Sequence, residues 1–149
     1  LRRHSQIAVA WLWVVGWIAV VQTFASDPFS AAETSRFITP LLRFLFPNAD
    51  AAWIAHAHCA IRKTSHFLEY AILALLALRA FRLNFDRPLA WLAAASLALV
   101  FVSAAVDETR QAGIASRTGT FSDVVLDLTG AATALAVAGL VRRFWGTER

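Results

Sequence analysis

The chain has 149 residues, 58% of them hydrophobic and only 16% charged, with a mean hydropathy of +0.56. Apolar residues gathered in long blocks at that density exclude an ordinary soluble domain and describe a small integral membrane protein. The formal net charge of +4 does not imply nucleic acid, because the basic residues are scattered and mostly arginines at helix ends, where an anionic-lipid interface accounts for them.

Four apolar segments come near the roughly 20 residues needed to cross a hydrocarbon core of ~30 Å. They lie at about 7–25, 62–81, 88–106 and 123–144. Together they predict an all-α membrane protein, four transmembrane helices in a bundle, forming one domain over 1–149. The first follows Arg2 and Arg3 in the manner of a signal peptide. Its length, its Trp11, Trp13 and Trp17, and the lack of a clean A-x-A site favour a retained helix.

The connection to the second segment contains "AAETSRFITPLLRFLF", in which Phe37, Leu41, Phe44 and Leu45 fall on one side and Arg36 and Arg43 elsewhere. That spacing suits a short interfacial helix; a polar loop with one buried turn is the alternative. The second segment opens on "RKTSHFLEY" and is marginal by apolar count, so its polar first turns are expected at or just inside the interface. His56 and His58, just before it, read as loop residues. The third has Pro88 near its first turn, where a missing N–H costs little. The fourth carries "GAATALAVAGL", whose small residues permit close helix approach in lipid. Cys59 is the one cysteine and cannot form an intramolecular disulfide, so helix packing must hold the structure.

Basic residues set the orientation. With a cytoplasmic N-terminus, eight of the arginines fall inside and six Lys or Arg residues outside, a modest positive-inside bias that favours both termini in the cytoplasm. Two polar clusters then open on the same, extracytoplasmic face: "RKTSHFLEY" and "VDETRQAGIASRTGTFSDVVLDLTG". On a helix Lys63, His66 and Tyr70 share a stripe, and His66 and Glu69 are i, i+3 neighbours. Glu108 and Gln111 are i, i+3 if the third helix continues through "VDETRQ". Asp123 and Asp127 are i, i+4 at the start of the fourth, with Gly130 following on that stripe.

Each group also has a plainer role. Arg62 and Lys63 suit snorkelling anchors. Asp123 and Asp127 suit the positive end of a helix dipole, and Ser122 an N-cap. Convergence of so many ionisable groups beside apolar spans favours a site, since each would otherwise be stranded. One histidine, several carboxylates, Lys63 and Arg117 suit an anionic headgroup held by cations, with a proton handled by His or carboxylate. "HAHCAIRKTSHFLE" matches no zinc template, and Lys63 and Arg117 disfavour a cation. No cofactor is therefore expected, with a divalent metal on His66, Glu69, Asp123 and Asp127 as the lesser alternative. No nucleophile elbow or glycine-rich phosphate loop is present in the sequence.

At these residues the chain resembles the VanZ-like family of small bacterial membrane proteins. "RKTSHFLEYAILALL" is similar to the family's K-x-x-H-F-x-E-Y segment, and "DETRQAGIASRTGTFSDVVLDLTGAATA" to its D-E-x-x-Q, R-x-G-S-x-x-D and D/N-x-x-G elements. These fall on Lys63, His66, Glu69 and Tyr70, then on Asp107, Glu108, Gln111, Arg117, Ser122, Asp123, Asp127 and Gly130. The stretch "RTGTFSD" departs from the pattern in placing the serine beside the aspartate.

The resemblance implies a multi-pass protein of the bacterial cytoplasmic membrane, in a family associated with resistance to teicoplanin-type glycopeptides, which bind cell-wall precursors outside the membrane. Two activities fit the site residues. In the first, an anionic lipid or lipid-linked precursor is a substrate for phosphoester hydrolysis or transfer. Lys63 and Arg117 hold the phosphate, and His66 is acid–base or nucleophile, oriented by Glu69 or Asp123. Glu108 and Asp127 position it, with Tyr70, Asp107, Gln111 and Ser122 on the substrate side. In the second, the protein binds the same headgroup without chemistry and alters antibiotic access.

Overall fold

The computed structural model describes residues 2–26, 31–112 and 121–145, of which 2, 31, 32, 111, 112, 144 and 145 are described by backbone alone. They form five helices: α1 (Arg2–Phe24), α2 (Ala31–Leu45), α3 (Ala51–Asn84), α4 (Leu89–Ala112) and α5 (Phe121–Trp145).

The longest helix, α3, runs 34 residues because nothing stops it: no glycine or proline occurs between Ala51 and Asn84. Asp50 caps its start from an extended backbone, Oδ1 accepting from Trp53 N at 2.6 Å. The chain leaves the helix at Phe85, also extended, and Pro88 then opens α4, its carbonyl accepting from Leu92 N at 3.1 Å. His56 and His58 therefore stand on α3 itself, not in a loop ahead of it. Their polarity hides a segment whose alanines favour helix throughout.

Among the described residues three helices are long and apolar enough to cross a membrane: α1 over Arg3–Phe24, α4 over Leu89–Arg110 and α5 over Phe121–Arg143. Their outward faces carry Leu12, Trp13, Val15, Val102, Val137 and Leu140, all exposed. Helices apolar on every side in so small a bundle suit lipid rather than water.

The bundle is organised around α3, which packs against each of the other four, while α4 also packs against α5. Its buried stripe, Tyr70, Leu73, Ala74, Ala77 and Ala80, meets Val14 and Val21 of α1, Val100 and Ala104 of α4, and Val124 and Ala131 of α5. The alanines let backbones approach closely, and that packing is the main attraction between helices where lipid surrounds them. Near the opposite end Trp11 meets Phe81 edge-on, ring centroids 5.2 Å apart.

The expected short helix in the first connection is α2. Phe37, Leu41 and Phe44 are exposed, whereas Leu42 is buried and Ile38 faces α3 across a cleft described below. Pro40 sits inside this helix, removing one backbone donor from its third turn.

Candidate functional site

The polar residues converge where α1 and α4 end and α5 begins. Helix α4 continues through "VDETRQ" to Ala112, so Asp107 stays on a helical face and reaches inward, 2% exposed. The Tyr70 hydroxyl, fully buried on α3, donates to Asp107 Oδ2 at 3.4 Å. Four residues earlier on α3, one turn along the same face, His66 Nδ1 stands 3.7 Å from Asp127 Oδ1 of α5. That separation makes an ion pair when the ring is protonated and is longer than a good hydrogen bond. Asp127 is almost fully buried and His66 mostly so. Glu69 and Asp107 both lie within electrostatic reach of His66.

Close approach of backbones brings these side chains together. At Gly130, one turn beyond Asp127, a side chain would run into the carbonyl of Phe67 on α3; its ideal Cβ would lie 3.0 Å from Phe67 C. Glycine is thus required for α5 to lie against α3 where His66 faces Asp127. From the other side Trp17 of α1 donates its indole N–H to the Glu69 carbonyl at 2.8 Å.

A cleft of about 210 Å³ opens beside this pair. Helix α3 contributes Arg62, His66 and Glu69, α2 contributes Thr34 and Ile38, and α1 contributes Phe24. Thr34 Oγ1 also lies 3.3 Å from His58 Nε2, tying α2 to the outer part of α3. Partial burial and the Arg62 charge lower the His58 pKa below the ordinary histidine value.

The structure joins His66 with Asp127 and Tyr70 with Asp107, and sets Glu69 in the cleft beside His66. Glu108 is half-buried on α4, and Asp123 is half-buried one turn before Asp127. Lys63 is exposed and does not line the cleft. Ser122 is exposed in the first turn of α5, which begins at Phe121. The side chain of Gln111 and the whole of Arg117 lie outside the described residues. Among the described residues no three His, Cys, Asp or Glu side chains gather closely enough to hold a metal ion.

Arg62 is the cleft residue that the sequence reading treated as an anchor. Its spacing held the signal: Arg62, His66 and Glu69 recur at i, i+4 and i+7, one face of a helix. Thr34 and Trp17 had no such signal, since their roles depend on how α2 and α1 dock.

These features define an all-helical protein with membrane-length apolar helices and a buried histidine–carboxylate cluster at one end of its bundle. The chain belongs to the VanZ/LLP1 family, whose family model matches residues 8–142. No curated protein and no solved structure matches it.

Proposed function

We propose that this protein is a four-span component of the bacterial cytoplasmic membrane, with both termini in the cytoplasm, that takes the anionic headgroup of an envelope lipid or lipid-linked cell-wall precursor at the His66 cluster from the extracytoplasmic side. The observation that carries this reading is the His66–Asp127 pair, 3.7 Å apart, beside a cleft bearing Arg62. A buried carboxylate on Nδ1 orients the imidazole and leaves Nε2 for proton transfer, while a guanidinium matches phosphate oxygens. In this reading α3 is the fourth span, its polar turns sheltered by α1, α4 and α5. The family's link to teicoplanin-type resistance is the reason for preferring lipids of wall synthesis among anionic lipids.

The chemistry that fits is phosphoester hydrolysis. Water adds to phosphorus, His66 takes its proton, and the P–O bond to the lipid alcohol breaks with that proton delivered to the leaving oxygen. Asp127 keeps the imidazole in position, and Arg62 balances the charge on the phosphoryl oxygens.

A second reading, headgroup binding without chemistry, is favoured by one observation: among the described residues Arg62 is the only cation lining the cleft, few for phosphoryl transfer. Phosphate release from a polyprenyl phosphate in vesicles separates the two. Hydrolysis requires wild-type release that His66→Gln and Asp127→Asn both reduce by about a hundredfold or more, the range of general acid–base catalysis. Binding alone predicts no release, with the lipid retained by His66→Gln and lost from Arg62→Ala. If neither release nor retention depends on these residues, both readings fail.

A further inference from the structure

A second, larger concavity lies on the opposite flank of α1, away from the α2 cleft. It is a groove of about 630 Å³ along one face of α4 from Ala95 through Ala98 and Val102 to Arg110. Ile18 and Gln22 of α1 form the other wall, with Phe81 of α3 between them. These α4 positions recur at three- and four-residue steps, so they form one continuous face. Helix α1 packs chiefly on α3, which leaves that face open.

The groove is mostly apolar, with Ser103 the polar residue midway along α4, and it is charged at one end. There Arg110, exposed, donates to Gln22 Oε1 and bridges α4 to α1 across the mouth. That bond uses one of five guanidinium N–H groups, leaving others for phosphate oxygens.

We infer that this groove holds one acyl chain of an anionic phospholipid whose phosphate meets Arg110. The inference rests on α1 and α4 crossing a bilayer and is independent of the His66 site.

Two magnitudes select this occupant. From Ala95 to Arg110 the face is about 22 Å long at 1.5 Å per residue. Half of a 40–45 Å bilayer, headgroup to midplane, is roughly 20–22 Å. The groove therefore matches one leaflet's lipid, and a much longer polyprenyl chain would overrun it. Spread over that length, 630 Å³ gives a mean cross-section of roughly 30 Å². A helix about 10 Å across has a section near 80 Å², so it could rest on the groove but not enter it.

The test is native mass spectrometry of the full chain in mild detergent, titrated with phosphatidylglycerol and with phosphatidylcholine. Wild type is expected to favour phosphatidylglycerol by about fivefold, the preference one arginine supplies near a lipid surface, and Arg110→Gln is expected to remove most of it. Ala98→Trp fills the groove from an exposed position and should lower retention of both lipids. Val102→Trp, exposed on the same face, should repeat that loss and guards against misfolding of either variant. Undiminished retention in both tryptophan variants overturns the proposal. So does a phosphatidylglycerol preference that survives Arg110→Gln, or a wild-type dimer that the tryptophans dissociate without affecting lipid.

Discussion

The carbonyl of Phe67 occupies the space where a side chain on Gly130 would stand. That contact sets the distance between α3 and α5, and with it the gap between His66 and Asp127 one turn away. Gly130→Ala must push the helices apart or distort one of them, at a cost of about 1–3 kcal/mol. Gly139, on the same helix, has nothing within 4 Å of its ideal Cβ. There alanine should stabilise by about 0.5–1 kcal/mol through helix propensity. Thermal midpoints of the two variants in detergent should move in opposite directions.

The facing of His66 and Asp127 predicts non-additive substitutions. In a double-mutant cycle of His66→Gln and Asp127→Asn, the coupling should be at least ~0.5 kcal/mol, as for side chains in one buried network. A coupling near zero, read from the same denaturation curves, would mean that the two side chains do not act as a pair.

Tyr70→Phe removes the donor to Asp107 while keeping the ring that fills the centre of the bundle. The expected loss is about 0.5–1.5 kcal/mol, the net worth of one such hydrogen bond. Tyr70→Ala should cost several times more because it also empties the core. Comparing the two separates the hydroxyl's contribution from the ring's.

Trp17→Phe tests the bond from α1 to the Glu69 carbonyl. About 1 kcal/mol is expected, and hydrogen exchange should rise in α1 before it rises in α4 and α5, since α1 rests chiefly on α3.

Acidification should loosen α2. Burial, and after it the Arg62 charge, lowers the His58 pKa in the folded protein below the ordinary histidine value of 6.5. Arg62 is on α3 itself and acts in both states, so only the burial part of the shift is released on undocking; the undocked state still binds the proton more readily, and docking contributed by this group weakens as pH falls below about 6.5 toward the folded value. A fluorophore on the adjacent, exposed Cys59 should report a step in that range. His58→Gln, which titrates nowhere, should abolish it.

The apolar blocks at 7–25, 88–106 and 123–144 could be read from composition, and each lies on a membrane-length helix because hydropathy alone marks such a segment whether or not its side chains are buried. The 62–81 segment was harder. Its charges depress its hydropathy, and only packing shows that His66 and Tyr70 turn inward while Lys63 turns out. Spacing along one helix revealed that His66 neighbours Glu69 and that Asp123 precedes Asp127 by one turn. It could not pair His66 with Asp127 or Tyr70 with Asp107, because those partners depend on how far α5 slides along α3, and Gly130 fixes that. That Arg62 lines the cleft was hidden for a related reason: its place there depends on how α2 docks against α3.

The 34-residue length of α3 corresponds to about 51 Å at 1.5 Å per residue, against roughly 40–45 Å for a whole bilayer with its headgroups. Carried across a membrane, this helix has surplus at its polar end, the end to which α2 is tied through Thr34 and His58. The mouth of the cleft therefore stands at a fixed height on a rigid rod while the lipid surface around it rises or falls with acyl length. With α3 as the proposed fourth span, thick bilayers would bring headgroups around α2 and thin ones would leave it nearer water. In the proposed four-span arrangement, access to His66 would thereby be coupled to membrane thickness, a variable set by lipid composition rather than by any residue of the chain.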